Sequence, residues 1–427
     1  MTTTDRPAAV HIDDLADPQF APEAMEILDA VAPIAQGIDL GVETLVAQAR
    51  SDTGLEDLGD DRFLERLGIL AAALDGDATR SPMGRVAAHG LLGQLLRNRL
   101  LVQDLLTEHP EIHDVSIERP IVIVGQPRTG TTHLHNLIAS DPAMRSLPYW
   151  ESLEPVLPRA ERDAVANGAP DPRRERTGAG LAFLDVAMPY FKRMHEMTVD
   201  HVHEEIQLLA IDFSTMLFET MGIMPAWKHW YTTHEQTPHY EYLRTVLKVL
   251  QWQRGGTRWV LKSPQHMEQI QPLLTVFPDA TFVFTHRDPV SVIASNATMI
   301  AYTARSAHSV IDPSAIGHYW STRIEEMLNA GMRDHDLFPS GQMIDVPFAD
   351  FMADDIAMVE RIYAVADQPS TAAARNAMEE FMTNNPRGRH GGVLYDLQGD
   401  FGIDPAERRE AMRPYTDRFD VALEWSP

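Results

Sequence analysis

The segment Gly125-Gln-Pro-Arg-Thr-Gly-Thr-Thr132 joins a short apolar run to a helical pattern, and its residue types suit an anion. A Gly-containing turn ahead of a helix aims several backbone N–H groups inward. The helix N-terminus adds a partial charge of about half an electron. Loops for nucleoside triphosphates follow GxxxxGK[ST], with the Lys on the β- and γ-phosphates. Here the spacing holds and Thr132 stands at the Ser/Thr position, but Thr131 takes the place of the Lys. Arg128 supplies a cation earlier in the loop. The loop reads as an anion cradle working without the Lys and Mg²⁺ arrangement of a kinase or ATPase. A plain strand-to-helix connection is the alternative.

Three further groupings carry chemistry. Arg287 ends an apolar run and Ser295 follows eight positions later on a helical pattern. An Arg leaving the C-terminal edge of a strand is placed where open α/β sheets bind ligands, and it can hold phosphate with two parallel hydrogen bonds. Pairing with Asp288 is the structural alternative. In Leu261-Lys-Ser-Pro-Gln-His266, Lys262 offers a cation and His266 an imidazole suited to taking a proton near neutral pH. His266 could equally cap a helix. In His201-Val-His-Glu-Glu205, Glu204 and Glu205 are rival bases or first-turn residues of an expected helix over Ile206–Phe218. A metal site on His201, His203 and a neighbouring Glu is a further alternative, and no metal is expected.

These groups need elements to hold them. Strands are expected at Pro120–Gly125, Arg258–Ser263, Ala280–Arg287 and Met343–Phe348. Helices are expected at His133–Ser140, His266–Phe277, Val290–Tyr302 and Asp354–Ala366. Strands alternating with helices imply a parallel sheet flanked by helices. Residues 1–24 read as a polar arm. Residues 24–114 read as helical, with apolar spacing of three and four in Phe63–Leu74 and Arg85–Leu106 and little chemistry. The division expected is a helical region over 1–117 and an α/β domain over 118–427, with a helical insertion at about 159–254. Met188, Met194, Met197, Met216, Met221 and Met224 lie in that insertion among Phe183, Tyr190, Phe191, Trp227, Trp230 and Tyr231. They suit either core packing or an adaptable apolar pocket.

The 427 residues carry a formal charge of −26, which disfavours nucleic acid and anionic membrane as partners. An anion site must then be built locally. With no cysteine, disulfides, thiolate nucleophiles and Cys-held zinc are excluded. No signal peptide or bilayer-length apolar run is visible, so a cytoplasmic location without stable membrane insertion is the expectation.

Together these motifs resemble the PAPS-dependent sulfotransferases, over about 118–419 (PAPS is 3′-phosphoadenosine-5′-phosphosulfate). Pro127–Thr132 is similar to the family's 5′-phosphosulfate loop, and Arg287 with Ser295 to its 3′-phosphate motif. Lys262–His266 is similar to a Lys-x-Pro-x-His element of the bacterial branch. Phe348–Phe351 resembles a weaker Tyr-Glu-Asp-Leu element, and 385–404 a C-terminal segment that folds over the cofactor. Arg128 stands for the commoner Lys, His133 for a Trp that stacks on adenine, and Arg387-Gly-Arg389 for Arg-Lys-Gly. The resemblance implies the P-loop NTPase-like sulfotransferase fold. It implies transfer of a sulfuryl group from PAPS to a hydroxyl of a small acceptor, with PAP (3′,5′-adenosine diphosphate) as product and no metal required. The donor would be held by Arg128, Thr129, Gly130, Thr131, Thr132, His133, Arg287, Ser295, Phe348 and Arg387. Arg128, Lys262, His266 as first base, and Glu204 or Glu205 as second, would serve the reaction. The apolar insertion favours a lipophilic alcohol or phenol. A P-loop small-molecule kinase and a non-catalytic nucleotide-binding protein are the alternatives. The oligomeric state is left open, a homo-oligomer included.

Overall fold

A computed structural model describes residues 7–424. Its strands are β1 (Val10–His11), β2 (Ile121–Val124), β3 (Val260–Ser263), β4 (Thr281–His286), β5 (Met343–Pro347) and β6 (Val393–Leu394). The central sheet runs β3-β2-β4-β5, and every pairing in it is parallel. The residues of β2, β3 and β4 are all buried, as a parallel sheet covered on both faces requires. The chain leaves β2 for β3 on one side and returns to β4 on the other. The crevice beyond the C-terminal end of β2 is therefore the topological switch point, where such sheets take ligands. Gly125, the end of β3 at Ser263, and Arg287 all sit at that edge.

The helices that matter to the site are α1 (Pro82–Glu108), α2 (Thr131–Ser140), α3 (Thr237–Arg254), α4 (Pro289–Ala307), α5 (Pro313–Asp334), α6 (Asp355–Ala366) and α7 (Ala372–Asn384). Local chemistry starts several of them. Ser81 accepts from the Gly84 N–H ahead of α1, Asp288 from Val290 ahead of α4, and Asp354 from Ala357 ahead of α6. Alternation along β2 divides the core. Val122 and Val124 face a large cluster with Leu96, Leu100, Trp227, Leu247 and Phe282, while Ile121 and Ile123 face Leu134, Ile138, Ile362 and Tyr363.

Four sequence expectations change. His266 does not open a helix over 266–277: Pro264–Glu268 is a 3₁₀ turn and the α-helix covers only Ile270–Val276. The helix expected over Ile206–Phe218 stops at Ala210. There Phe213 takes a positive φ of 54°, and the Ser214 and Thr215 hydroxyls bond the side chains of Gln236 and Gln265. The arm over 1–24 is structured within its described part. β1 pairs with β6, and Ile12 and Leu15 are buried. Residues 1–6 of that arm lie outside the described residues. The helical region before 117 shares the large core, and through α1 it also walls a cavity described below.

One buried network ties that region to the insertion. The Asp212 carboxylate accepts from Arg66 at 2.5 Å, Arg99 at 2.7 Å and His239 at 2.5 Å. The Arg99 guanidinium also lies 4.2 Å over the Phe63 ring. No helix among the described residues is long and apolar enough to cross a membrane.

Candidate active site

The loop after β2 is shaped by two glycines. A Cβ on Gly125 would lie 1.9 Å from Thr285 Oγ1, so only glycine lets β2 and β4 close at their ends. Gly130 has φ of 79°, and a Cβ there would press on the Phe348 ring at 3.1 Å. Beyond it α2 begins at Thr131, with its free N–H groups toward a cavity of about 560 Å³.

That cavity gathers most of the residues expected to hold a donor. Arg128, Gly130, Thr131, Thr132, His133, Arg287, Phe348 and Arg387 line it. Ser295 lines an adjoining recess of about 340 Å³ and accepts from Arg128 Nε at 2.9 Å. Thr129 turns inward: its hydroxyl donates to the Gln126 carbonyl at 2.7 Å and meets Thr285 Oγ1 at 2.9 Å, so only its backbone is free to serve the loop. The Arg287 guanidinium lies 4.0 Å over the Phe348 ring and donates to the Arg128 carbonyl at 2.5 Å. Asp288 is not its partner, for that side chain caps α4; the carboxylate on Arg287 is Glu424. His133 sits among Phe351 and Phe381, hydrogen-bonded to Asp355 at 3.2 Å. Burial lowers its pKa against the pull of Asp355, and its ring offers an aromatic face.

Sequence reading missed part of the cavity's charge. Lys192 and Arg193 also line it, with Arg389 of the expected C-terminal segment, giving a cationic cavity on a chain of net charge −26. The run Lys192-Arg-Met-His195 was a signal for this, being a basic cluster in an acidic sequence. Ser291 was missed as well. Its buried hydroxyl has no partner and lines the recess beside Arg287 and Ser295. An unpaired buried hydroxyl costs free energy unless something fills its hydrogen bond. This orphan, in a recess lined by Arg128, Arg193 and Arg287, fits a bound phosphate.

A second cavity of about 400 Å³ adjoins the first. Its walls are largely apolar, with Ala87 of α1, Phe191, Met216, Met221, Met299 and Ile300 among them. The Met and aromatic residues of the insertion thus divide. Trp227, Trp230, Tyr231 and Met224 pack in the core, while Phe191, Met216 and Met221 face this cavity. Arg128, Thr131, Thr132 and His195 line both cavities, so the two meet at the anion loop.

The rival bases are separated by burial. His266 is sealed, with Tyr240 Oη at 2.8 Å from Nδ1 and Glu205 against Nε2. Glu205 is sealed beside it and accepts the Lys262 backbone N–H at 2.8 Å. Burial alone would raise the Glu205 carboxyl, but the His266 hydrogen bond and charge hold it below its ordinary value. Neither reaches a cavity, so the expectation of His266 as first base and of Glu205 as second is corrected. Both brace the end of β3. Glu204 points the other way, into the apolar cavity, and pairs with Lys262 Nζ. Near it His195, His201 and His203 pack edge to face. Burial, then neighbouring charge including Lys262, pushes His201 down to about 4 and the other two well below the usual imidazole value.

One group among the described residues has metal-like spacing: His286, His335 and Asp345. Its hydrogen bonds are satisfied internally. Both Nε2 atoms meet Asp345 Oδ1, at 2.8 and 2.9 Å, and His286 Nδ1 meets the Tyr415 hydroxyl at 3.0 Å. The group fastens the helix Arg413–Arg418 to the end of the sheet.

A parallel sheet with an anion loop at its switch point, and a cationic cavity beside an apolar one, has the layout that suits a group-transfer enzyme. The sequence profile of the Sulfotransferase family matches residues 120–372, and the chain belongs to that family. Sulfotransferase STF9 from Mycobacterium avium is similar in structure, with TM-score 0.81 and 25% identity over 91% of this chain and 99% of that one. Sulfotransferase STF1 from Mycobacterium tuberculosis H37Rv gives TM-score 0.76 and 28% identity over 88% and 98%. None of the curated proteins matches the chain in sequence. The fold and the family support sulfotransferase activity.

Proposed function

We propose that the chain transfers the sulfuryl group of PAPS to a hydroxyl of a small lipophilic acceptor. The observation that carries this reading is the shared wall: Arg128, Thr131, Thr132 and His195 line both the cationic cavity and the apolar one. The donor's chemistry is an activated sulfuryl group with adenosine bisphosphate as leaving group.

The residues divide that work. Arg128 and the N–H groups of 129–132 bind the 5′-phosphate and offset charge on the leaving oxygen, with the Thr131 and Thr132 hydroxyls beside them. Arg287, Ser295 and the unpaired Ser291 hydroxyl hold the 3′-phosphate. His133 and Phe348 offer ring faces to the base, and Arg387 closes the cavity from the C-terminal segment. Lys262, buried and lining neither of the two cavities, serves the reaction by pairing with Glu204 and holding that carboxylate in place. Glu204 takes the acceptor's proton as the new O–S bond forms and the bond to the phosphate oxygen breaks. The acceptor's apolar body lies on Phe191, Met216, Met299 and Ile300.

Thermal stabilisation by PAP against ATP with Mg²⁺ tests the donor. A shift with PAP and none with ATP supports PAPS; a shift with ATP only refutes it and favours a kinase. Arg287→Ala should weaken PAP binding by about 1.5–3 kcal/mol, the usual worth of a hydrogen bond to a charged group, and calorimetric titration reads it. An unchanged affinity would remove Arg287 from the site. Turnover of lipophilic alcohols and phenols against sugars, with labelled PAPS, tests the acceptor class.

A further inference from the structure

We propose that the C-terminal segment carries a carboxylate latch: Glu424 occupies the place of the donor's 3′-phosphate and must leave before the donor binds. The inference rests on the PAPS reading above. Arg287 donates to Glu424 through Nε at 2.6 Å and Nη2 at 2.7 Å, the two-point geometry it would use on a phosphate. Glu424 lines the same recess as Arg128, Arg193, Ser291 and Ser295. The carboxylate therefore sits among the donors expected for the phosphate, while the Ser291 hydroxyl stays unfilled.

The segment reaches this point by anchored steps. The Tyr415 hydroxyl meets His286, the residue before Arg287. The Phe419 ring stacks on the same imidazole at 4.4 Å. The Glu424 backbone N–H then donates to Asp288 Oδ2 at 3.0 Å. These contacts hold the segment at the recess, and the carboxylate end can swing away from it.

The latch is reversible by charge and by exposure. Glu424 is 30% exposed and Arg287 22%, so water competes for the pair and its worth is small. A phosphate monoester carries nearly two charges and three strong acceptor oxygens. It can engage Arg287 and the serine hydroxyls together, which a single carboxylate does not. The cost to the donor is the fraction of time the latch is shut. A latch shut three-quarters of the time weakens apparent affinity about fourfold, within the range of such a pair. A nucleotide lacking the 3′-phosphate has no need of that place and escapes the cost.

The test compares the full-length chain with its Glu424→Gln variant, titrating each calorimetrically with PAP and with adenosine 5′-monophosphate. Glu424→Gln should tighten PAP about fourfold and leave the monophosphate unchanged, which supports the latch. Unchanged or weaker PAP binding in the variant overturns it while leaving the PAPS reading intact. An equal gain for both nucleotides also overturns it, since Glu424 would then act elsewhere than on the 3′-phosphate. Failure of both proteins to bind PAP removes the PAPS reading and the latch with it.

Discussion

Glu204→Gln should cut acceptor turnover by about 10²–10⁴-fold, the contribution of a positioned proton acceptor, while PAP affinity stays unchanged. The expectation follows from where the rival groups point. His266 and Glu205 bond one another at the end of β3 and reach neither cavity, whereas Glu204 faces the apolar one. The amide keeps the shape of the side chain and a hydrogen-bond acceptor, but loses the charge that receives the proton. A steady-state assay with saturating donor and acceptor reads kcat directly. The fall should appear in kcat and kcat/KM alike, as for an interaction made only in the transition state. His195→Ala is the companion variant, because His195 lines both cavities. Near-normal turnover in Glu204→Gln with collapse in His195→Ala would transfer the base to the imidazole.

The second large effect concerns stability. Asp212→Ala should destabilise the fold by about 3–5 kcal/mol, because it leaves buried cations without their carboxylate. Arg66, Arg99 and His239 all converge on this side chain, and Asp212, Arg66 and Arg99 are almost wholly buried. Urea unfolding would show the midpoint falling at constant slope. A loss below about 1 kcal/mol, the ordinary range of a surface pair, would mean that the guanidiniums find other partners. Acid should act on the same network. Burial pushes the Asp212 carboxyl up, but the His239 hydrogen bond and then the two arginines bring it below 3.8. A carboxyl with a lowered folded pKa stabilises fully above its unfolded value of about 4, and that contribution is lost as pH falls through the lower folded value.

The residues that gather at the cationic cavity were legible because their patterns are local. The loop's Gly130 and Arg128, and the Arg287–Ser295 spacing, are short-range patterns in which backbone geometry and residue type follow one another. Four strands showed as apolar runs for the same reason. Which of the rival carboxylates reaches a cavity was not legible. Glu204 and Glu205 are neighbours of identical chemistry, and only the packing of His266 and Tyr240 around one of them decides which is sealed. The apolar cavity was legible only in part: Phe191, Met216 and Met221 stood among the residues suited to a pocket. Ala87 reads as one more apolar position of α1, and only the tertiary fold places it on the cavity. The contact of Arg287 with Glu424 spans 137 positions, so no local pattern could announce it.

The wall common to the two cavities has a practical reach. A single ligand joining an adenosine bisphosphate to a lipophilic tail would pass from one cavity to the other along Thr131 and Thr132. Once the first half is seated, the tail binds at the effective concentration set by the tether, which for short linkers is of order millimolar. On the PAPS reading, bisubstrate ligands of this shape would take their grip from the anion loop and add apolar contacts on the wall built by α1 and the insertion.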